Sequence, residues 1–321
     1  MVRIPTQQSR NTPSVNKRQN DMEKLTGLIV KAISGFYYIE AADTLYECKA
    51  RGVFRKKGIS PVVGDRAEIT VYEDGTAAIE TILPRKNELI RPPLANLDRL
   101  FIVSSVCEPS PNRLMIDKIT AVAVEKGIEP ILVFTKADLA DVTELLDTYR
   151  SIGMTAFGYS IHSPQDREQL CALLKGKVSA FTGNTGVGKS SLLNSLFPDL
   201  TLETAEISHK LGRGRHTTRH CELYKVGGGY VADTPGFSTV DIERYEVIMG
   251  EDMAACFPEF REYLTQCRFS TCSHTCEKGC AVLAAVQAGH IPASRHHSYQ
   301  AMYEEVRSIP AWEMKKRLQR P

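Results

Sequence analysis

Residues 183–190 read Gly-Asn-Thr-Gly-Val-Gly-Lys-Ser, which fits the phosphate-loop pattern of two glycines separated by four residues and followed by Lys-Ser. A β-type run, 178–182, precedes this segment, and a helical run begins at 192. Such a loop joins a strand to a helix in a parallel α/β sheet, and its backbone N–H groups cradle phosphate oxygens. These flanks favour a nucleotide-binding loop over a glycine-rich turn that binds nothing.

The positions of this loop have separate chemical roles. Lys189 supplies a positive charge to the β- and γ-phosphates, and Ser190 supplies a hydroxyl to Mg²⁺. Ser191 opens the next helix, whose N-terminal dipole also favours phosphate. The candidate phosphate-binding residues are Gly183, Asn184, Thr185, Gly186, Val187, Gly188, Lys189, Ser190 and Ser191.

A second motif, Thr135-Lys136-Ala137-Asp138, follows the apolar run 131–134. A carboxylate at the end of a buried strand, here Asp138, can accept hydrogen bonds from N1–H and the 2-amino group of guanine. Adenine has neither donor, and the unpaired acceptor would cost about 1–3 kcal/mol. The motif predicts guanine as the base, although taken alone it also fits a plain strand-to-helix loop.

A third motif, Asp233-Thr234-Pro235-Gly236, follows the strand-like run 229–232. An aspartate in this position can hold Mg²⁺ through a water molecule, and the Gly236 N–H can sense a γ-phosphate. The tetrapeptide alone is also a good turn. Its place after a strand favours the nucleotide role.

The order of the motifs is the reverse of that in ordinary GTPases, because the guanine motif precedes the phosphate loop and no Lys-x-Asp follows it. The motifs can still meet in space if the same sheet is built from a chain that is cut elsewhere. We therefore predict a circularly permuted, doubly wound α/β domain over residues 93–242.

The segment 25–92 predicts a small closed barrel of the OB type. The pair Asp74-Gly75 is a strong hairpin signal. No helical pattern interrupts the strand-like runs at 36–39, 45–48, 69–72 and 76–83. Residues 1–24 are polar and predict a flexible tail.

Composition excludes several classes. With 42% hydrophobic residues and a net charge of +2, the chain is neither a disordered protein nor one whose overall charge points to nucleic acid. No apolar run approaches the roughly 20 residues of a membrane helix, and no signal peptide precedes the first strands. We expect a cytoplasmic protein that has no membrane association and whose cysteines are reduced.

Five of the nine cysteines fall between 256 and 280. Cys267, Cys272, His274 and Cys280 form Cys-x4-Cys-x-His-x5-Cys, which can close a tetrahedral Zn²⁺ site with no open position. On spacing alone, Cys276 competes for a place among the ligands. Removal of zinc should unfold the C-terminal domain and leave nucleotide binding largely intact.

The chain resembles the circularly permuted GTPases of the RsgA (YjeQ) type, and the resemblance covers nearly everything after the tail. Besides the three nucleotide motifs and the metal cluster, it rests on the segments 48–52 (Cys-Lys-Ala-Arg-Gly), 61–65 (Pro-Val-Val-Gly-Asp) and 214–218 (Gly-Arg-His-Thr-Thr). The departures are Thr135 in place of the commoner Asn, and Ser160-Ile161 in place of Ser-Ala. They affect the expected affinity but not the choice of base.

The resemblance implies a domain order and a role. The domains are a tail (1–24), an OB-fold barrel (25–92), the GTPase domain (93–242) and a mostly helical zinc domain (243–321), with Ser160 at the base and one zinc ion on Cys267, Cys272, His274 and Cys280. The implied role is GTP hydrolysis during late maturation of the small (30S) ribosomal subunit, with 16S rRNA as partner and the protein as a monomer. The basic C-terminal end, which includes Arg295 and Lys315, is compatible with docking on rRNA.

The resemblance also places the first switch at 209–220, where Thr217 or Thr218 would complete the Mg²⁺ shell. Phe237 stands where Ras-like enzymes hold a water-orienting glutamine, so intrinsic hydrolysis should be slow and His216 is the candidate helper. The candidate catalytic residues are thus Lys189, His216, Thr217 and Thr218. Two alternatives stay open: a GTP-binding, RNA-docking module with negligible hydrolysis, and a large-subunit assembly GTPase.

Overall fold

Five strands close into a barrel at the N-terminal end. The computed structural model describes residues 23–50, 54, 60–90, 92–198, 221–233 and 248–309. The barrel strands are β1 (Glu23–Ile33), β2 (Phe36–Ala41), β3 (Thr44–Ala50), β4 (Arg66–Val71) and β5 (Ala77–Ile82). They pair in the closed order β1-β2-β3-β5-β4-β1 around fully buried side chains such as Ile29, Ile39 and Ile79. This is the predicted OB-like barrel.

The first strand begins earlier than the sequence pattern indicates. Glu23 and Lys24, assigned to the tail, pair with Val71 and Thr70 of β4. Both side chains are exposed, so no apolar alternation marks these positions as part of a strand.

A second group of strands carries the nucleotide motifs. These strands are β8 (Arg99–Ser105), β9 (Glu129–Thr135), β10 (Thr155–Tyr159), β11 (Val178–Thr182), β12 (Glu222–Val226) and β13 (Gly229–Asp233). Their order is β10-β9-β8-β11-β13-β12, and all pairs are parallel except β12–β13. The phosphate-loop strand β11 is thus separated from the guanine-motif strand β9 by β8 alone, as the permuted order requires.

In the described part of this domain, four helices cover the sheet: α1 (Arg113–Glu125), α2 (Thr143–Arg150), α3 (Pro164–Ala172) and α4 (Lys189–Leu196). The spacing of apolar residues over 113–126 predicts a helix, and α1 confirms it. Its first turn is capped by Asn112, whose side chain accepts a hydrogen bond from the Met115 N–H at 3.1 Å. Strands β10 and β12 were not predicted, because each is short and lacks the continuous apolar run of the buried central strands.

The barrel joins the nucleotide-binding sheet along an edge and through a short linker. Strand β12 pairs with β1 at Glu222 and Lys31, whose side chains form an ion pair at 2.8 Å. The linker contains the two-residue strands β6 (Glu88–Leu89) and β7 (Leu94–Ala95). The barrel is therefore fastened to the hairpin that leads to Asp233.

The C-terminal region consists of short helices around one longer helix. They are α5 (Gly250–Met253), three 3-10 turns (Ala254–Cys256, Pro258–Phe260, Leu264–Gln266), α6 (Ala281–Gln287) and α7 (Ala293–Arg307). The acidic segment 241–262 predicts helical structure, but its described part, 248–262, forms short helical turns rather than one helix. Extended backbone at Phe257 precedes Pro258, because proline disfavours the helical conformation in the residue before it.

The sequence over 292–307 also predicts a helix, and α7 confirms it, but one of its side chains was misread. Arg295, counted among the basic residues that face rRNA, is 0% exposed and cannot contact an external partner. In the described residues, no helix is long and apolar enough to cross a bilayer.

Candidate nucleotide site and metal centre

The phosphate-loop segment lies between β11 and α4, and its glycines are required by local geometry. Gly186 and Gly188 have φ of 83° and 86°, in the left-handed region that favours glycine. A Cβ on Gly183 would lie 2.3 Å from the carbonyl oxygen of Val103 on β8, so no larger residue fits without movement. Ser190 and Ser191 are exposed in the first turn of α4, where helix N–H groups lack partners within the helix.

Thr135 contacts the phosphate loop directly. Its buried hydroxyl is shared between the carbonyl oxygens of Val187, across the loop, and of Ser104 on β8, the latter at 3.2 Å. The hydroxyl thus reaches the loop although Thr135 departs from the commoner asparagine. The guanine motif and the phosphate loop, which are 52 residues apart at this contact, form one site.

Lys136 makes a second connection. Its ammonium donates to the carbonyl oxygen of Gly186 at 3.4 Å and to that of Glu108. Pro109 lies beside Gly186, where an added Cβ would be 3.7 Å from its Cδ. No sequence motif had indicated this 105–109 loop. Its position after a buried parallel strand was the available signal, because ligands bind at the carboxyl ends of such strands.

Asp138 is exposed just beyond β9, and Ser160 follows the neighbouring parallel strand β10. The two loops are joined by a hydrogen bond from the Ala137 N–H to the Tyr159 carbonyl at 3.2 Å. The Ser160 N–H donates to Asp166 at 2.9 Å, which fixes its loop to the start of α3. Asp138 and Ser160, the candidate base-binding residues, therefore lie beyond the carboxyl ends of neighbouring parallel strands. The phosphate loop lies at the same end of the sheet.

Several predicted residues lie outside the described residues. Asp233 ends β13, the strand beside β11, but the structure does not describe its side chain. The rest of the third motif with Gly236, the switch residues at 209–220 with His216, Thr217 and Thr218, and Phe237 also lie outside it.

The four predicted metal ligands come together. The ligand atoms of Cys267, Cys272, His274 and Cys280 all lie within 4.8 Å of one another. The sulfurs of Cys267 and Cys280 are 3.9 Å apart, and each is 3.5 Å from His274 Nδ1. In a tetrahedral zinc site, the bonds are about 2.3 Å to sulfur and 2.0–2.1 Å to nitrogen. These bond lengths place two sulfurs about 3.8 Å apart and a sulfur and a nitrogen about 3.5 Å apart. The exposed Cys276, the competitor on spacing alone, is not part of this group.

The electrostatics of the cluster also suit a cation. Burial raises the pKa of the Cys272 and Cys280 thiols and lowers the pKa of the His274 imidazole, so the residues alone favour their neutral forms. Three thiolates this close would repel one another without a divalent ion. Backbone N–H groups of Ala281 and Leu283 point at the sulfurs of Cys267 and Cys280, both at 3.4 Å, and can stabilise thiolates.

A carboxylate shapes the loop that carries His274. Glu277 accepts hydrogen bonds from the hydroxyl and N–H of Ser273 and from the N–H groups of Thr275 and Cys276. Partial burial raises the pKa of Glu277, but these donors outweigh it and hold the pKa at about 2. The loop is therefore held by an ionised side chain at neutral pH.

Two buried cysteines elsewhere have a different character. Burial raises the pKa of Cys48 to about 11 and that of Cys256 to about 12. These thiols stay protonated at neutral pH and pack as small apolar side chains.

The profiles of two families match the chain. The RsgA GTPase family matches residues 82–243, and the RsgA N-terminal domain family matches residues 26–79. The small ribosomal subunit biogenesis GTPase RsgA of Geobacillus sp. (strain WCH70) is 43% identical over 287 residues, which cover 88% of this chain and 97% of that protein. The protein of the same name from Caldanaerobacter subterraneus subsp. tengcongensis is 44% identical over 290 residues, 89% and 97% of the two chains.

Two solved structures share the fold. YloQ, described as a circularly permuted GTPase, has a TM-score of 0.75 and 32% sequence identity, with 91% of this chain and 98% of that chain covered. YjeQ from Thermotoga maritima has a TM-score of 0.78 and 34% identity, with coverage of 90% and 100%.

Proposed function

Because the chain belongs to the RsgA family of circularly permuted GTPases, we propose that it hydrolyses GTP to GDP and phosphate during late maturation of the small (30S) ribosomal subunit. The observation that carries the proposal is the contact of Thr135 and Lys136 with the phosphate loop. That contact joins a guanine-type motif to a phosphate loop in a single site.

We assign the residue roles from this contact together with the sequence motifs. Asp138 accepts from the guanine edge, Thr135 and Lys136 hold the phosphate loop, and Ala137 and Ser160 set the neighbouring backbone at the base. Residues 183–191 bind the phosphates, with the Lys189 charge on the β- and γ-phosphates. We assign Mg²⁺ to Ser190 and Thr218, with Asp233 reaching it through water, and the γ-phosphate contact to Gly236.

The catalytic group is proposed from sequence alone. Phe237 cannot orient water by hydrogen bonding, so we assign that task to His216, in a loop that the ribosomal subunit orders. Substitution His216→Ala should remove most of the subunit-stimulated hydrolysis and leave GDP binding unchanged. Undiminished stimulation would take His216 out of this role.

Zinc is proposed as a structural ion. The Cys3His set offers four protein ligands and leaves no open position for a substrate, which separates it from catalytic zinc sites. When bound, zinc would stabilise thiolates and fix the 267–280 loop, while Mg²⁺ with GTP would neutralise phosphate charge at the other site.

The proposed partner is the RNA of the small subunit, 16S rRNA. The protein would dock in its GTP state as a cytoplasmic monomer and leave in its GDP state. Support comes from the OB-like barrel, a fold whose β2–β3 face binds oligonucleotides in other proteins. The names of its relatives also refer to small ribosomal subunit biogenesis.

Co-sedimentation tests docking. The protein with a non-hydrolysable GTP analogue should pellet with purified small subunits, and with GDP it should stay in the supernatant. Large subunits serve as the matched control. Selective pelleting with large subunits would favour the large-subunit alternative, and pelleting that ignores the nucleotide would contradict nucleotide-controlled docking.

A further inference from the structure

Arg295 is buried between the C-terminal helix α7 and the GTPase domain. Its Nη1 donates to Asp117 Oδ1 on α1 at 2.6 Å, and its Nε donates to Glu259 Oε1 at 2.7 Å. The guanidinium also lies over the ring of Phe257, 4.6 Å from its centroid. Arginine is almost never fully buried without partners, and here two carboxylates provide them. We call Arg295, Asp117, Glu259 and Tyr149 the Arg295 cluster.

The cluster reaches the guanine motif through Tyr149 of α2. The Tyr149 hydroxyl donates to the same Asp117 Oδ1 at 2.9 Å, and its ring packs on Phe134 with centroids 5.9 Å apart. Phe134 is fully buried in β9 and directly precedes Thr135. The Asp117 Oδ2 atom is buried and has no hydrogen-bond partner in the described part of the chain, so that carboxylate depends on the contacts at Oδ1.

Helix α7 also holds the metal loop. Three consecutive backbone carbonyls of that loop, those of Ser273, His274 and Thr275, face the side chains of Tyr299, His296 and Gln300 at 2.7, 2.8 and 2.8 Å. His296 follows Arg295 directly in the chain. One helix therefore touches both the backbone around a metal ligand and the Arg295 cluster.

We infer that Arg295 is a positioning residue for the guanine motif, and that metal binding at the Cys3His cluster is thermodynamically coupled to guanine nucleotide binding. This differs from the expectation, drawn from spacing alone, that nucleotide binding survives zinc loss. The inference rests on the proposed assignment of the guanine motif to residues 135–138.

The physical reason is the cost of an unpaired buried charge. Loss of the metal releases the metal loop, whose backbone carbonyls contact the side chains of α7. Helix α7 then loses contacts that hold it in place. If Arg295 withdraws, the carboxylates of Asp117 and Glu259 are left buried without a cation. Water must then enter to solvate these two charges. Helix α2 and Tyr149 then shift relative to Phe134, and the guanine motif loses its support. Coupling is reciprocal, so bound nucleotide also tightens the hold on the metal.

The first test needs only the wild-type protein. The equilibrium release of zinc from the loaded protein to a competing chelator is measured with and without saturating GDP. We expect GDP to raise the affinity for zinc by about fivefold or more, and the zinc-free protein to bind a fluorescent GDP analogue more weakly by the same factor. Equal zinc affinities with and without GDP would overturn the inference. If the loaded wild-type protein does not bind GDP at all, the proposed nucleotide site fails instead.

Variants locate the coupling. Arg295→Met, of similar length but uncharged, should weaken GDP binding about fivefold or more and abolish the effect of GDP on zinc release. Arg295→Lys keeps the positive charge and should restore part of the GDP affinity and part of the effect on zinc release. Tyr149→Phe removes the hydrogen bond to Asp117 but keeps the ring on Phe134, so it should give a smaller loss of GDP affinity. This variant tests the role of the Arg295 cluster if Arg295→Met does not fold.

The matched control is Lys118→Ala. It removes the surface ion pair of Lys118 with Glu305, at 2.7 Å across the same α1–α7 contact, and should leave both measurements unchanged. GDP affinity equal to wild type in folded Arg295→Met and Tyr149→Phe proteins would refute the role of Arg295. A loss in Lys118→Ala as large as that in Arg295→Met would refute it as well, because any weakening of the contact would then suffice.

Discussion

At the scale of single residues, we assign the choice of base to the carboxylate of Asp138. In Asp138→Asn, the amide oxygen can accept from N1–H, but the amide N–H₂ meets the 2-amino group of guanine as a donor facing a donor. Xanthine has a carbonyl at that position. We expect GDP binding to weaken by about 10- to 100-fold and binding of xanthosine diphosphate to strengthen, as measured by fluorescence competition.

The control for this substitution lies three residues on. Asp141→Asn changes an exposed carboxylate that accepts a hydrogen bond from the N–H of Thr143, the first residue of α2, at 2.9 Å. It should leave the preference for guanine unchanged. A base preference that is unaltered in Asp138→Asn, or altered equally in both variants, would remove Asp138 from its role.

Gly183 tests the geometry of the phosphate loop. In Gly183→Ala the new methyl group meets the Val103 carbonyl oxygen at 2.3 Å, so the loop or β8 must move and GDP affinity should fall by about tenfold or more. Gly127→Ala is the matched control, because Gly127 has φ of 67° but open space around its Cβ position. It should cost about 1–2 kcal/mol in unfolding free energy and leave GDP affinity unchanged. Unaltered GDP binding by Gly183→Ala would contradict the described loop.

Residues with chemical roles were the part of the site that sequence predicted well. The four metal ligands are brought together, because thiolate and imidazole ligands at short spacing form a distinctive pattern. The 105–109 loop was missed, since its contribution is backbone carbonyl groups, which any residue type supplies. Arg295 was misread for a related reason: a basic residue in a basic stretch looks exposed unless its distant partner, Asp117, is known.

At the scale of elements, the metal loop 267–280 has no helix or strand of its own, so we expect it to need the ion for stability. Cys272→Ser removes one ligand, and the protein should lose zinc as measured by elemental analysis, together with helical signal from the C-terminal region. Cys276→Ser changes an exposed thiol outside the cluster and should retain both.

A chelator should reproduce the effect of Cys272→Ser on the wild-type protein. Helicity unaffected by zinc removal would contradict a structural role for the ion, and zinc loss in Cys276→Ser would contradict the assigned ligand set.

Elements that depend on long-range pairing escaped prediction. Strand β12 owes its place to antiparallel pairing with β13 and to its contact with β1 of the barrel, neither of which leaves a local pattern. The segment 241–262 was expected to be helical, whereas Pro258 and the packing of Phe257 against Tyr299 break its described part into short turns. The buried central strands and α1, whose patterns are local and strong, were predicted correctly.

At the scale of the whole molecule, the permuted order places different domains against different parts of the nucleotide site. The barrel pairs with β12, which follows the predicted first switch, through Lys31 and Glu222, and Lys225 of β12 also forms an ion pair with Glu40 of β2. The metal region packs through α7 on α1, whose preceding loop touches Lys136. Both flanking domains thus adjoin the segments to which we assign the nucleotide chemistry.

We predict that this chain is a GTPase whose hydrolysis depends on the small ribosomal subunit. The deciding measurement is the steady-state release of phosphate from GTP by the purified protein, with and without purified small subunits. Turnover by the protein alone should be slow, because Phe237 replaces a water-orienting glutamine, and it should rise by about tenfold or more with small subunits but not with large ones. The same slow rate with and without small subunits would contradict it and would favour a module that uses GTP only as a structural ligand.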